Sequence, residues 1–341
     1  MKAVISRLKT FCSTKELVIA KRNVRIISFN TWDSGRYVQQ GDEKIVRLVE
    51  DLQPEFALLQ EVSNDLLSLF LHNSTATWYP CLGSGGNKLQ NGPVILSKFP
   101  IYSQYEHALE IPWNKRQYEV GCNFRLPDTK ARYINVWNVQ LDPKSYAPYR
   151  ACGLIRDRCN GALYDPLHRI LRRCERNRTA ELKTLFANRS FQSALWFQPY
   201  PLVMGGDFSS PSHLDWSKSN RDLNCGVTFS WPQSIFLTRV YKFKDSYRKI
   251  HRKVNPNSKD ATWSPVRLRG PSGLRTPREL SKAETRLTPL DRIDYVYYRG
   301  SGIKTFSAEI LFPKGLGQIP DVRGNYYPSD HGVVIVDFVI K

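Results

Sequence analysis

Short apolar runs rich in β-branched and aromatic residues recur along the chain, and each carries at its end or edge a polar residue that a core would not take. VRIISFN ends at Asn30, FALLQE at Glu61, YINVWNVQ at Gln140 and LVMGGDFS at Asp207 and its small polar successors; RIDYVYY contains Asp294, and SDHGVVIVDF opens with Asp330 and His331. Runs of this kind predict strands. Between the first two, DEKIVRLVEDLQP places Ile45, Leu48, Val49 and Leu52 on one helical face before Pro54 stops it, so the opening reads strand, helix, strand. Helices are also predicted over 64–73 (NDLLSLFLHN) and 177–190 (NRTAELKTLFANRS), and the strands around them imply mixed sheets in one compact α/β sandwich. We find no internal repeat and no heptad pattern.

Two stretches interrupt this rhythm. Residues 143–176 are rich in Arg and Cys, and 264–290 form a basic loop punctuated by Pro, Gly and Ser. Loops of that length inside a compact domain are usually functional or mobile. The domain is read as 23–341, preceded by a basic tail over 1–22.

Charge changes the picture more than composition does. The chain of 341 residues has 50 Lys and Arg against 31 Asp and Glu, a net charge of +19, which makes a polyanion the first expected partner. The excess gathers at 150–189, 239–259 and 264–292. A solvated face that keeps the protein in solution is the plainer reading of any one such cluster. Seven cysteines without a C-x-x-C pair, an odd total, argue against a closed disulfide framework and for a reducing compartment. The apolar run Leu17–Ala20 is too short for a signal-peptide core, and nothing approaches the roughly 18 apolar residues of a membrane span. The expected location is intracellular, cytoplasmic or nuclear, with a mitochondrial targeting segment at 1–20 as the alternative.

Taken singly, each polar strand-end residue has an ordinary explanation: a turn former, an Asx-turn at Asn30, a surface ion pair at Glu61, a core histidine at His331. As a set they offer carboxylates and an amide oxygen without Cys or His pairs at zinc spacing. Hard oxygen donors of that kind suit Mg²⁺ or Mn²⁺ and, with it, phosphate ester chemistry. Asp207 is then the candidate to activate water. In SDHG an acid and an adjacent histidine on extended backbone point to opposite sides and need different partners, so Asp294 is matched to His331, and Asp330 to metal or water.

The blocks ISFNTW, LLQEV, GPVILSKFPI, VWNVQLD, GGDFSSPS, DRIDYVY and SDHGVVIVDF, in this order over residues 24–339, resemble the endonuclease/exonuclease/phosphatase superfamily of Mg²⁺-dependent phosphoesterases. The resemblance implies a four-layer α/β sandwich of two packed sheets with the site at one end. It also implies that Asn30 and Glu61 belong to the metal site with Asp330 close by, that Asp207 orients the nucleophilic water, and that His331 with Asp294 contacts the scissile phosphate. Two positions depart from the family pattern: Gln140 stands in NVQL where many members have the histidine of NTHL, and Ser209 in GDFS where they have asparagine. Both are expected on the substrate phosphate, Ser209 through a water. Tyr146 or Tyr149 is a substitute for the lost acid, packing being the plainer role. A subgroup pattern, WP.S, DSYR and TW.P, implies that Trp231, Trp263 and Arg248 line the substrate pocket. GSGGNKLQNG at 83–92 lacks the ending of a P-loop and reads as a turn at the site's edge.

Two functions follow. The first is a divalent-metal phosphoesterase acting on a phosphodiester or phosphomonoester, with charge favouring nucleic acid. The second, motivated by the net charge of +19 together with Gln140 and Ser209, is a catalytically weakened relative that binds polyanions or nucleic acid without turnover.

Overall fold

The computed structural model describes residues 21–82, 91–105, 118–127, 133–153, 165–197, 199–255, 260–263, 290–311 and 327–341. The basic tail, most of the Gly-rich turn at 83–92, and 264–289 of the basic loop lie outside them.

Among the described residues twelve strands form; the first half of the set comprises β1 (Arg22–Asn30), β2 (Phe56–Val62), β3 (Tyr79–Cys81), β4 (Gly92–Ser97), β5 (Ile101–Gln104) and β6 (Glu119–Arg125). The second half supplies β7 (Tyr133–Gln140), β8 (Leu202–Asp207), β9 (Lys244–Asp245), β10 (Asp294–Arg299), β11 (Ile303–Leu311) and β12 (Val333–Ile340). They make two six-stranded mixed sheets, β11-β12-β1-β2-β4-β3 and β5-β6-β7-β8-β10-β9. β1 and β2 are parallel, as are β7 and β8, and each parallel pair is flanked by antiparallel neighbours.

Three apolar clusters define the layers. Val24, Ile26, Phe56 and Leu58 of the first sheet meet Phe124, Ile134, Val136 and Val203 of the second in the central core. On the outer face of the first sheet, Ile27, Phe29, Ala57 and Leu59 pack on helices α1 (Gly41–Leu52) and α2 (Asn64–His72). On the outer face of the second, Trp137, Val139 and Met204 pack on Leu182, Leu185 and Phe186. Strand residues alternate between these clusters with the period of two that a pleated chain imposes. Helix, sheet, sheet, helix is the expected α/β sandwich, and α1 buries Ile45 and Val49 from its apolar face.

The remaining α-helices among the described residues are α3 (Ala147–Ala151), α4 (Leu167–Cys174), α5 (Arg176–Ala187), α6 (Arg189–Gln192), α7 (Pro232–Ile235) and α8 (Ser246–Ile250). The helical pattern read over 177–190 thus divides in two, because Asn188 leaves helical geometry and caps α6 by accepting from the Ser190 and Phe191 amides. Not all of the basic residues at 150–189 face solvent: Arg178 is buried and pairs with Glu175 at 2.5 Å.

One expectation is corrected. Disulfides join Cys81 to Cys122 and Cys152 to Cys225. The first spans the central core from β3 to β6, Cα to Cα 6.4 Å, between residues 41 apart in sequence. Sheet packing makes that meeting, and sequence spacing does not reveal it; the inference to a reducing compartment loses its ground. Among the described residues no helix is long and apolar enough to cross a membrane.

Parallel β7 and β8 come closest at Gly206, whose φ of +137° suits glycine alone and where a Cβ would fall 1.9 Å from the Val139 carbonyl oxygen. Gly206→Ala is therefore expected to lower unfolding free energy by roughly 3 kcal/mol, measured by urea denaturation, since backbone rather than a flexible side chain would have to move.

Candidate active site

The two central strand pairs deliver their ends to one cavity of about 530 Å³ lined by Asn30, Glu61, Gln140, Asp207, Asp330 and His331 among others. Asn30, Gln140 and Asp207 each end a strand, and Asp294 begins one. Antiparallel register places Asp294 directly opposite Asp207. Glu61 reaches the cavity by a different device. Pairing of β2 with β4 is irregular between Leu59 and Val62, and Glu61 takes φ 60°, so a bulge turns its carboxylate out of the ladder. Trp32, Asp33 and Ser34 also have left-handed φ, as does Ser209 at 48°, the place where the family pattern has the more tolerant asparagine. Strained backbone concentrated here marks a site that the surrounding packing has to hold.

A continuous hydrogen-bond chain links the acids. Asn30 Nδ2 donates to Glu61 Oε1 at 3.3 Å and to Asp207 Oδ2 at 3.0 Å, while its own oxygen accepts from the Trp32 amide at 2.9 Å. Asn30 thus makes the Asx-turn and also joins the two carboxylates. Gln140 Nε2 donates to Glu61 Oε1 at 2.8 Å, and the Asp33 amide to Glu61 Oε2 at 2.8 Å. Ser209 donates to Asp207 Oδ1 through both its amide, at 2.7 Å, and its hydroxyl, at 3.1 Å. Gln140 and Ser209, expected on the phosphate, line the cavity but spend these donors on Glu61 and Asp207.

His331 Nδ1 lies 2.9 Å from Asp294 Oδ2. Burial alone would discharge the imidazole, yet the surrounding carboxylates, Asp294 first and then Asp330, raise its pKa to about 10. Burial, opposed by His331, pushes Asp294 up to about 6. Thr262 steadies the pair's strand, its hydroxyl accepting from the Ile293 and Asp294 amides, each at 3.0 Å. Ser329 ties His331 to β1: its hydroxyl donates to the Asn30 carbonyl and accepts from the His331 amide.

Ligand atoms of Asp207, Asp294 and His331 lie within 4.8 Å of one another, close enough for a metal. His331 Nδ1 is at hydrogen-bond distance from Asp294 Oδ2, which also matches this trio to an ion pair beside a carboxylate. Asp330 suits a cation more directly. Its Oδ2 accepts from Trp263 Nε1 at 3.1 Å, while its buried Oδ1 has no hydrogen-bond partner among the described residues. Burial, partly offset by His331 and reinforced by Glu61, raises its pKa to about 6. Glu61 and Asp330 are neighbouring acids, and Asp330 Oδ1, which makes no hydrogen bond among the described residues and lies 3.8 Å from His331 Nε2, keeps lone pairs that fit a hard divalent ion.

Aromatic rings form the walls. Trp32 and Tyr37 pack in a tilted pair at 4.6 Å on one side; Tyr146 packs edge-on against Trp263 at 5.1 Å on another. Tyr146 donates to Asp291 Oδ2 at 2.6 Å, and Trp216 Nε1 to Asp291 Oδ1 at 2.8 Å. Burial, then the Asp291 charge, holds the Tyr146 hydroxyl well above its ordinary pKa, which does not suit a proton donor to a leaving group. The Trp32–Tyr37 wall escaped the sequence reading, although both residues follow closely on ISFN; Thr262 was legible only as the neighbour of Trp263.

Arg248 and Trp231 are corrections. Arg248 is buried away from the cavity, its guanidinium bonded to Asp215 at 2.6 Å and Asp260 at 2.7 Å. Trp231 is fully buried against Trp216 and Phe229. The subgroup pattern placed both near the site in sequence, but a buried arginine goes where two acids compensate it.

In the metal-free protein, an NMR titration should find His331 protonated to about pH 10. Asp294→Asn removes the anion that favours the imidazolium and should shift that titration to lower pH. An unchanged His331 titration in the variant would contradict the pairing.

Comparison with known proteins agrees with this geometry. The chain is 26% identical over 336 residues to the uncharacterized Caenorhabditis elegans protein F14F9.5, covering 96% of this chain and 95% of that one. Its fold resembles Danio rerio TDP2 complexed with single strand DNA product, with a TM-score of 0.53 and 10% identity over 93% of this chain and 98% of that one. It likewise resembles the 3'-5' exonuclease NExo of Neisseria meningitidis, with a TM-score of 0.52 and 16% identity over 92% and 98%. Residues 27–331 match the endonuclease/exonuclease/phosphatase family as a whole, and with the site assembled inside that span the chain belongs to this family of phosphate ester hydrolases.

Proposed function

We propose that the chain is a divalent-metal-dependent phosphoesterase acting on nucleic acid. The observation that carries this reading is the meeting, in one cavity, of Asp207 with His331, itself paired to the buried Asp294, and of Glu61 with Asp330, whose Oδ1 makes no hydrogen bond among the described residues. Glu61 and Asp330 would hold Mg²⁺ or Mn²⁺, with Asn30 and Gln140 orienting Glu61. The bound cation would supply charge neutralisation at the phosphoryl oxygen and the leaving group.

Asp207 has the tasks of aiming the attacking water and taking its proton. Three donors fix its carboxylate, two from Ser209 and one from Asn30, so the remaining lone pairs have a defined direction. His331 presents its other ring nitrogen as a cationic donor to phosphate oxygen, the role in which a fixed hydrogen bond counts most as charge develops. With Gln140 uncharged, it is the histidine that supplies positive charge on the protein side.

Nucleic acid is favoured over inositol phosphates by the walls. The tilted Trp32–Tyr37 pair and the edge-on Tyr146–Trp263 pair present ring faces and edges on which bases can pack, and the net charge of +19 draws a polyanion towards them. Danio rerio TDP2, a structure of similar fold, is known with a single strand DNA product. The reading of a weakened, binding-only relative rested on the net charge of +19 and on Gln140 and Ser209; the charge suits a nucleic-acid substrate equally, and the bonds to Glu61 and Asp207 give both residues work in support of catalysis.

The test is hydrolysis of single- and double-stranded DNA, RNA, nucleotides, inositol phosphates and an aryl phosphodiester with Mg²⁺ or Mn²⁺. Turnover on a nucleic acid should vanish with EDTA and fall by about 10³-fold in Asp207→Ala with secondary structure retained. Activity that survives the substitution would refute the assignment of Asp207; salt-sensitive binding without turnover would establish the binding-only reading.

A further inference from the structure

The end of the second sheet opposite the cavity carries a different surface. β8 and β10 pair from Asp207–Asp294 at the cavity to Leu202–Arg299 at the other end, roughly 17 Å along the strands. Just before β8, a π-helical turn, Ser193–Phe197, presents Trp196 (56% exposed) and Phe197 (82%) to solvent. A second π-helical turn, Phe236–Val240, lies beside it and exposes Val240 (59%). Tyr241 joins the two, its ring 6.4 Å from Trp196 and 4.3 Å from Phe186. Wide helical turns of this kind are uncommon and often mark functional positions.

The charge on the two segments that carry these rings is of one sign. No acidic residue occurs at 186–206 or at 236–244, whereas Arg189, Arg239, Lys242 and Lys244 are all exposed. Arg299 is placed over Trp196, guanidinium to ring 4.3 Å, and donates to the Tyr241 carbonyl at 3.0 Å, which fixes the indole at the surface. Large aromatics kept exposed on segments that carry cations and no acids have the chemistry of an interfacial anchor: rings enter the headgroup region while Lys and Arg stay with the phosphates.

We propose that this pole docks the protein on an anionic lipid bilayer. Trp196 and Phe197 insert, with Arg189, Arg239 and Lys242 meeting lipid phosphates. The cavity, at the far end of the same strands, then opens away from the bilayer to substrate in solution, so docking and the phosphoesterase chemistry are independent. Each cation near such a surface adds on the order of fivefold in partition.

Sedimentation with vesicles tests this. The full chain should bind vesicles of phosphatidylcholine and phosphatidylserine in equal parts and not pure phosphatidylcholine. Trp196→Ala/Phe197→Ala should weaken partition by at least about tenfold and Arg239→Gln/Lys242→Gln by a comparable factor. Phe197→Ser alone, at a position too exposed to affect folding, should give a smaller loss in the same direction. Equal binding by the aromatic variants would overturn the proposal, leaving only non-specific attraction of a basic protein. It would also be overturned if the wild type bound no vesicles, if the aromatic variants lost nucleic-acid binding instead, or if they converted a dimer to monomers, which would make the face a contact between copies.

Discussion

Two carboxylates placed directly opposite on adjacent strands, with almost no access to water, form the constraint on which this end of the molecule depends. Asp207 and Asp294 share a register position in a mostly buried site, where like charges repel strongly unless cations or donors are supplied. The chain supplies both on separate sides. His331 comes from the last strand's approach to compensate Asp294, while Asn30 and Ser209 direct N–H and O–H groups at Asp207. One acid becomes the anchor of a cation and the other stays available, a division of roles created by environment rather than by residue type. The segments that converge here span residues 30 to 331, so the compensation also ties the two sheets together at their ends.

A second buried network keeps that convergence in place without touching the cavity. Arg292 bonds Asp215 and Asp245, and Arg248 bonds Asp215 and Asp260, so two arginines and three acids link the loop after β8, the start of α8 and the approach to β10. Removing one member would leave an uncompensated buried charge, which is far more costly than the net worth of the pair. Asp291, immediately before Arg292, carries the Tyr146 and Trp216 contacts on which the aromatic wall rests. The position of that wall therefore depends on ion pairs that no substrate meets.

Much of the site was legible because its chemistry conflicts with its setting. An acid or amide at the end of an apolar run, as at Asn30, Glu61, Asp207 and Asp294, has no place in a core and needs another reason to be there. The alternation of the strands and the apolar face of α1 likewise follow from local sequence. What sequence did not reveal depends on partners distant in the chain. Arg248 looked like a substrate ligand because nothing near it in sequence shows Asp215 arriving from another loop; Cys81 and Cys122 looked unpaired because only sheet packing brings them together. Gln140 and Ser209 read as losses from a phosphate site, although each bonds an acid whose position is visible only in three dimensions.

Those two residues also bear on how the site tolerates departures from its family pattern. A histidine at position 140 would add a second ionisable group beside Glu61, in a cavity where His331 already carries positive charge. A neutral amide instead donates to Glu61 without changing the local charge. Ser209, held at φ 48°, accepts backbone strain that asparagine tolerates better, but its short hydroxyl reaches back to Asp207. Both changes move hydrogen-bonding capacity from the cavity towards its acids. Without a second cationic side chain, the requirement for charge neutralisation falls on His331, whose Nε2 also lies 3.8 Å from Asp330 Oδ1, and on whatever ion Glu61 and Asp330 hold.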